Sequence, residues 1–302
     1  MTEEVQQSRR ASAWALFRSF ARNKGAFLGF VFLVGLVLAA ILANYIFPEG
    51  PNHYDLNTQL LAPSLKFPFG TDYLGRSMLM LVVYGGRTDL LVAFAAGGLL
   101  AFLGTISGLA AGYYGGRTDG IIMRVVDIFL TLPTLPLILV VVAIATPSLF
   151  NILLVIALTG WPGMSRLIRS NVLALAKQEF IQIEKVMGAS TGRIIFRHVL
   201  PNMMNVILVY TSLIIPVVIL TEAAIEFLGL APISVSWGFL INISLSYWIQ
   251  GAWWMSVFPG LAIFATSLAF YLVSEGLKEA LTPKLRRKGE SLAVQLAEGK
   301  KK

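Results

Sequence analysis

Few residues in this 302-residue chain could do chemistry, and the types present exclude several mechanisms at once. There is no cysteine, which removes thiolate nucleophiles, thiolate metal ligands and disulfides. Two histidines, His53 and His198, are too few for a histidine metal site, so no metal ligand is assigned. Gly188-Ala189-Ser190-Thr191-Gly192 fits the G-x-S-x-G form of a hydrolase nucleophile elbow. That elbow requires a sharp strand-to-helix turn and a distant acid and histidine. No strand-and-helix alternation surrounds the stretch, and His198 follows closely in sequence, so no catalytic residue is assigned. No G-x-x-x-x-G-K-[ST] loop is present to cradle nucleotide phosphates. What remains are carboxylates inside apolar runs. Asp127 follows Arg124 at the spacing of a local helical ion pair. Glu222 and Glu226 share one helical face. They would either line a pathway and meet cationic groups of a substrate, or satisfy polar groups at the helix end.

The elements that must carry these residues are membrane helices. Charged residues make up 13% of the chain and apolar ones 56%, against roughly 25% charged in soluble domains. A bilayer core needs about 20 apolar residues per helix. Six runs qualify, near 26–47, 90–114, 121–145, 149–173, 203–230 and 255–277. Pro162 is expected to kink the fourth. Gly104, Gly108 and Gly112 form a small-residue stripe on the second, read as a packing face. Of the 24 Lys and Arg residues, only Lys66, Arg76 and Arg87 fall in the long loop after the first run, and residues 231–254 carry no charge. The positive-inside rule therefore puts both termini in the cytoplasm. The net charge of +8 flanks apolar runs and forms no solvated stripe, so no nucleic-acid partner is expected.

The predicted class is an all-α, multi-pass protein of the cell (inner or plasma) membrane, with the lipid bilayer as its medium. Its expected parts begin with a cytoplasmic tail, 1–25, carrying an interfacial amphipathic helix with Trp14, Phe17 and Ala21 on one face, Phe20 beside them, and Arg18 and Arg22 on another. A first span (26–48), an extracytoplasmic loop (49–86), a five-helix core (87–285) and a basic cytoplasmic tail (286–302) follow. In the loop, Asp72 and Arg76 would contact an outside partner or pin a turn.

Between the fourth and fifth spans, residues 178–202 interrupt the apolar pattern. Phe180, Ile183 and Met187 recur at helical spacing. Gly188 follows where a left-handed cap favours glycine. Ser190 is then expected to cap a second short helix, with Ile194 and Leu200 on its apolar side and Pro201 at its boundary. A helix, a sharp turn and a helix would form a rigid knuckle able to transmit force between two spans.

This stretch resembles the cytoplasmic "EAA" coupling loop of ABC-importer permeases: E-A-A, three residues, Gly, then nine residues to I-x-L-P. Anchored on Gly188, the triad falls on Gln182, Ile183 and Glu184, and the ending on His198 to Pro201. "RHVLPN" at 197–202, "FPFGTDYLGRS" at 67–77, and further blocks at 108–133 and 221–238 resemble the C-type subunit of the dipeptide/oligopeptide/nickel branch. Gln182 stands in place of the family's glutamate, and Glu184, about 200° around the helix, in place of its last alanine. Ser77, Leu81 and Glu226 replace a usual aspartate, arginine and serine.

The resemblance implies a permease subunit pairing with a homologous second subunit. Two cytoplasmic ATP-binding subunits would hold ATP and Mg, this chain needing no cofactor of its own, and an extracytoplasmic binding protein would deliver substrate. Phe180–Ser190 would enter a groove of the ATPase. Gly188 would set the turn, Ile183, Met187 and Ala189 would supply apolar docking, and Glu184 and Lys185 rim charges. The cargo implied is di- or oligopeptide, with oligosaccharide or nickel as alternatives on the same machinery. A different class, an ion-coupled secondary transporter using Asp127, Glu222 and Glu226 as proton sites, predicts internal inverted repeats, and none is evident.

Overall fold

A computed structural model of the protein describes residues 18–144, 148–230 and 234–281. Every regular element among these is helical. Five helices are long and apolar enough to cross a bilayer, and a sixth crossing is formed if one bent pair counts as a span. The six apolar runs thus all become helices, but their ends and straightness differ from expectation in ways that matter.

The first run is α1 (Lys24–Ile41), capped by the Asn23 side chain, which accepts from the Ala26 amide at 3.1 Å, and extended after a break by α2 (Ala43–Ile46). Residues 18–22 ahead of it are helical, and Phe20 meets Phe30 edge-on at 6.1 Å. Trp14 and Phe17, the rest of the expected interfacial face, lie outside the described residues, as does the basic tail.

The second run is longer than its apolar core. Helix α3 spans Met78–Tyr114, because Ser77 caps it by accepting from Met80. At 37 residues it measures about 55 Å, well beyond the roughly 30 Å of hydrocarbon. The loop expected to run to residue 86 therefore ends at Ser77.

The third run is broken. Helices α4 (Gly116–Thr131) and α5 (Thr134–Ile144) meet at 88°. Leu132 is extended there, ψ 135°, as the residue before a proline must be when the ring of Pro133 crowds the helical conformation.

Helix α6 (Leu149–Ala176) keeps Pro162 within it and packs along α3. The glycine stripe makes that approach possible. A methyl group on Gly108 would sit 2.6 Å from the Ser165 carbonyl, and one on Gly112 2.8 Å from the Val172 Cβ. The stripe is a packing face, as its spacing suggested.

The last long elements are α9 (Leu200–Phe227), which follows α7 (Glu179–Val186), α8 (Thr191–Ile194) and a π-turn (Ile195–Val199), and α11 (Trp254–Leu281). A short helix between them, α10 (Trp237–Ser244), dips back against α3 and α9.

The loop between α2 and α3 folds onto the start of α11. The Asp72 carboxylate accepts from the Leu74 and Arg76 amides at 2.9 and 2.8 Å and from the Arg76 side chain at 2.8 and 2.7 Å. Arg76 also donates to the Pro51 carbonyl at 3.1 Å. Both side chains are buried, so this pair pins a turn. Trp254 Nε1 donates to the Thr71 carbonyl at 2.9 Å, and Phe69 stacks on Phe258 at 4.0 Å, fastening the loop to α11.

Candidate functional site

The knuckle at 178–202 is built by its turn. Gly188 has φ +80°, the left-handed conformation in which a side chain is strained and glycine is not. The Ala189 amide reaches back to the Glu184 carbonyl at 3.0 Å and the Gly188 amide to Lys185 at 3.1 Å. That pair of bonds is the Schellman motif, which satisfies carbonyls the helix end would otherwise leave open. Ser190 occupies the N-cap position of α8, but its side chain makes no capping bond.

Beyond the turn the expected second short helix does not stop at Pro201. Residues Thr191–Phe227 run as one 37-residue helical element into the membrane. Proline has no amide to offer the preceding turn. The π-turn at Ile195–Val199 absorbs the mismatch, with the Leu200 amide bonding to the Ile195 carbonyl, and the Asn202 side chain donates to the His198 carbonyl at 2.6 Å. The knuckle's second arm is therefore continuous with a membrane helix, a stiffer linkage than two separate pieces.

Two layers can be distinguished on the knuckle. Ile181, Ile194 and Val199 are buried and join the core formed by α3 and α6, with Ala189 half-buried against it. Facing away are Phe180, Ile183, Val186 and Met187; Val186 is 88% and Met187 79% exposed. Four apolar side chains on one short, rigid helix form an exposed ridge, the kind of surface that marks an interaction site. Val186 was passed over in the sequence, although it follows Ile183 at the same spacing that picked out Phe180. Phe196, 72% exposed on the second arm, was also missed.

The polar residues also make contacts within the chain. Glu184 approaches His198 Nε2 at 3.5 Å, bridging the two arms. Lys185 lies over the Tyr113 ring at 5.1 Å, near the end of α3. Gln182 donates to the Ala176 carbonyl at 2.7 Å, closing the end of α6. All three brace the knuckle on its own chain.

The expected Arg124–Asp127 pair does not form. Asp127 instead meets Arg166 of α6 at 2.6 Å, because packing of α4 on α6 brings that guanidinium closer than the local one. One turn further along α6, Arg169 grips Asp119 through both of its oxygens.

At the end of the bundle remote from the knuckle, Glu222 and Glu226 are fully enclosed. In this conformation both lie inside the chain, and neither lines an open surface. They meet Asp89 of α3, itself 2% exposed, and one oxygen from each of the three carboxylates lies within 4.8 Å of the others. Beside them α10 packs close on α9 because Gly238 has no side chain; a methyl group there would sit 2.6 Å from the Ala223 carbonyl. Trp237 completes the wall, its amide donating to Asp89 Oδ2 at 3.0 Å and its ring nitrogen to the Val82 carbonyl at 2.8 Å. Asp89 was missed because it borders the apolar run and sits far from Glu222 in sequence.

Comparison with known proteins agrees with this architecture. The family described as "Binding-protein-dependent transport system inner membrane component" matches residues 103–287, and the "N-terminal TM domain of oligopeptide transport permease C" matches residues 12–63. The dipeptide transport system permease protein DppC of Bacillus subtilis (strain 168) is 37% identical over 278 residues, covering 91% of this chain and 86% of that protein. DppC of Alkalihalophilus pseudofirmus is 40% identical over 274 residues, 89% of each chain. The oligopeptide transport system permease protein OppC of B. subtilis is 36% identical, covering 89% of this chain and 88% of that protein. Among solved structures, the MetNI methionine ABC transporter in inward-facing form shares the fold with a TM-score of 0.54, covering 68% of this chain and 98% of that one at 17% identity.

Proposed function

The chain belongs to the family of binding-protein-dependent transport inner membrane components, and on that premise we propose that it is one half of the pathway of an ATP-driven peptide importer. It is a multi-pass membrane permease subunit with relatives named for dipeptide and oligopeptide transport. In the proposed assembly it pairs with a homologous permease subunit. Two ATP-binding subunits, which carry ATP and Mg, drive the pair from the cytoplasm, and an extracytoplasmic binding protein delivers di- or oligopeptides.

The observation that carries this reading is the ridge Phe180, Ile183, Val186 and Met187, held outward on a locked turn and continuous with a membrane helix. A rigid element of this kind converts a partner's closure into helix rotation, a rigid-body switch between inward- and outward-open states. Glu184 and Lys185 are engaged within the chain, so docking rests on shape and apolar contact.

The test is uptake in proteoliposomes holding the chain with its second permease, ATP-binding and binding-protein partners. Radiolabelled dipeptide should accumulate only with ATP, and not when the ATP-binding subunits are catalytically dead. Accumulation driven by a proton gradient without ATP would overturn the proposal in favour of a secondary transporter.

A further inference from the structure

The cluster at Asp89, Glu222 and Glu226 lies at the end of the bundle remote from the knuckle, and its chemistry is unfinished. Three carboxylates from two helices meet in an enclosed space. Among the described residues none of them forms an ion pair. Asp89 has the Trp237 amide. Glu222 has no hydrogen-bond partner on either oxygen, and neither does Glu226, although Ser236 and the Gly238 amide lie beside it. Burying even one uncompensated carboxylate costs several kcal/mol, so the cluster must be either neutralised by protons or met by a cation.

We propose that Asp89, Glu222 and Glu226 bind one hard divalent cation of the calcium or manganese class. Enclosure decides against larger occupants: Glu222 and Glu226 are 0% exposed, so neither a peptide ammonium group nor an arginine of a neighbouring subunit can reach them without the helices parting. Spacing agrees. Two oxygens bound to calcium at about 2.3–2.6 Å stand at most about 5 Å apart, and these oxygens lie within 4.8 Å of one another. The donor set is all oxygen, which suits calcium, magnesium or manganese, and the absence of imidazole and thiolate argues against nickel as the ion held. The Trp237 amide offsets part of the remaining negative charge.

Such an ion would tie α3 to the end of α9, with α10 closing over it. It would hold the bundle together at the end opposite the knuckle, where opening would require the helices to separate. The inference does not depend on the transport reading, because its test measures ion binding by the chain alone.

The full-length chain in lipid nanodiscs, free of ATP-binding subunits and stripped with EDTA, is titrated with Mn2+ and followed by electron paramagnetic resonance. Loss of the free six-line signal should show about one bound ion per chain, displaced by Ca2+. The isosteric variants E222Q and E226Q should each weaken binding at least tenfold, and added Ca2+ should raise the Tm of the wild-type chain but not theirs. Should a variant fail to fold, the wild-type titration still decides the matter. No Mn2+ binding by the wild type, or equal binding by well-folded variants, would overturn the proposal and leave the three groups as protonated acids.

Discussion

Replacing Gly188 separates the turn's backbone conformation from every other property of the knuckle. Its φ is +80°, and a Cβ built there meets no atom within 4 Å. A substituted side chain therefore collides with nothing, and its cost is conformational. The left-handed region costs an ordinary L-residue roughly 1–2 kcal/mol, and a β-branched one up to about 3 kcal/mol. Asparagine tolerates it and caps helices almost as glycine does. Energies of about 1–3 kcal/mol correspond to roughly 5- to 150-fold shifts against the closed turn. As the turn opens, the Ala189–Glu184 and Gly188–Lys185 bonds are lost, and the ridge ceases to move as one body with the helix that enters the membrane. The expected order of peptide imported per ATP hydrolysed, in proteoliposomes with the full assembly, is Gly188, then G188N, then G188A, then G188V. ATP hydrolysis and the amount of inserted protein should stay near wild type, because the turn is solvent-exposed and outside the packed core. Equal transport per ATP for Gly188 and G188V, or G188N as poor as G188V, would refute the reasoning.

Two further outcomes follow from the contacts around the site. E184Q removes a partly exposed contact with His198 at 3.5 Å, and such pairs are worth about 0–1 kcal/mol. Transport per ATP should fall by less than about fivefold, and a loss as large as that of G188V would mean that Glu184 contacts the partner directly. In the loop, D72N keeps an oxygen for the Leu74 and Arg76 amides but leaves the buried Arg76 guanidinium without its counter-charge. Breaking a buried pair from one side costs about 3–5 kcal/mol, so limited proteolysis between residues 48 and 77 should become markedly faster while the helices remain protected.

The helices announced themselves because lipid demands long apolar runs, and no other class explains six of them in one cysteine-free chain. Their ends were harder to place. The first half of α3 extends through the polar stretch Gly85–Asp89, since Trp237 of α10 packs on its glycines and donates to Asp89. Pro133 breaks its run, whereas Pro201 and Pro162 are accommodated within helices. Only neighbouring backbone decides between those outcomes. The knuckle could be anticipated from Gly188 and the spacing of Phe180, Ile183 and Met187, because its turn chemistry is local. Which charges it spends on itself could not, since Glu184, Lys185 and Gln182 find their partners on other helical segments. The acid cluster failed for the same reason: Asp89 and Glu222 lie far apart in the sequence and meet only through helix packing.

The central claim is that the ridge at Phe180–Met187 docks on an ATP-hydrolysing subunit. Because the chain has no cysteine, one introduced at Val186, 88% exposed, is unique. In the reconstituted assembly, V186C should react slowly with a hydrophilic maleimide when the ATP-binding subunits are present and quickly when they are washed away. A short bifunctional reagent should link it to one of those subunits. A labelling rate indifferent to the ATP-binding subunits, with no cross-linked product, would contradict the account.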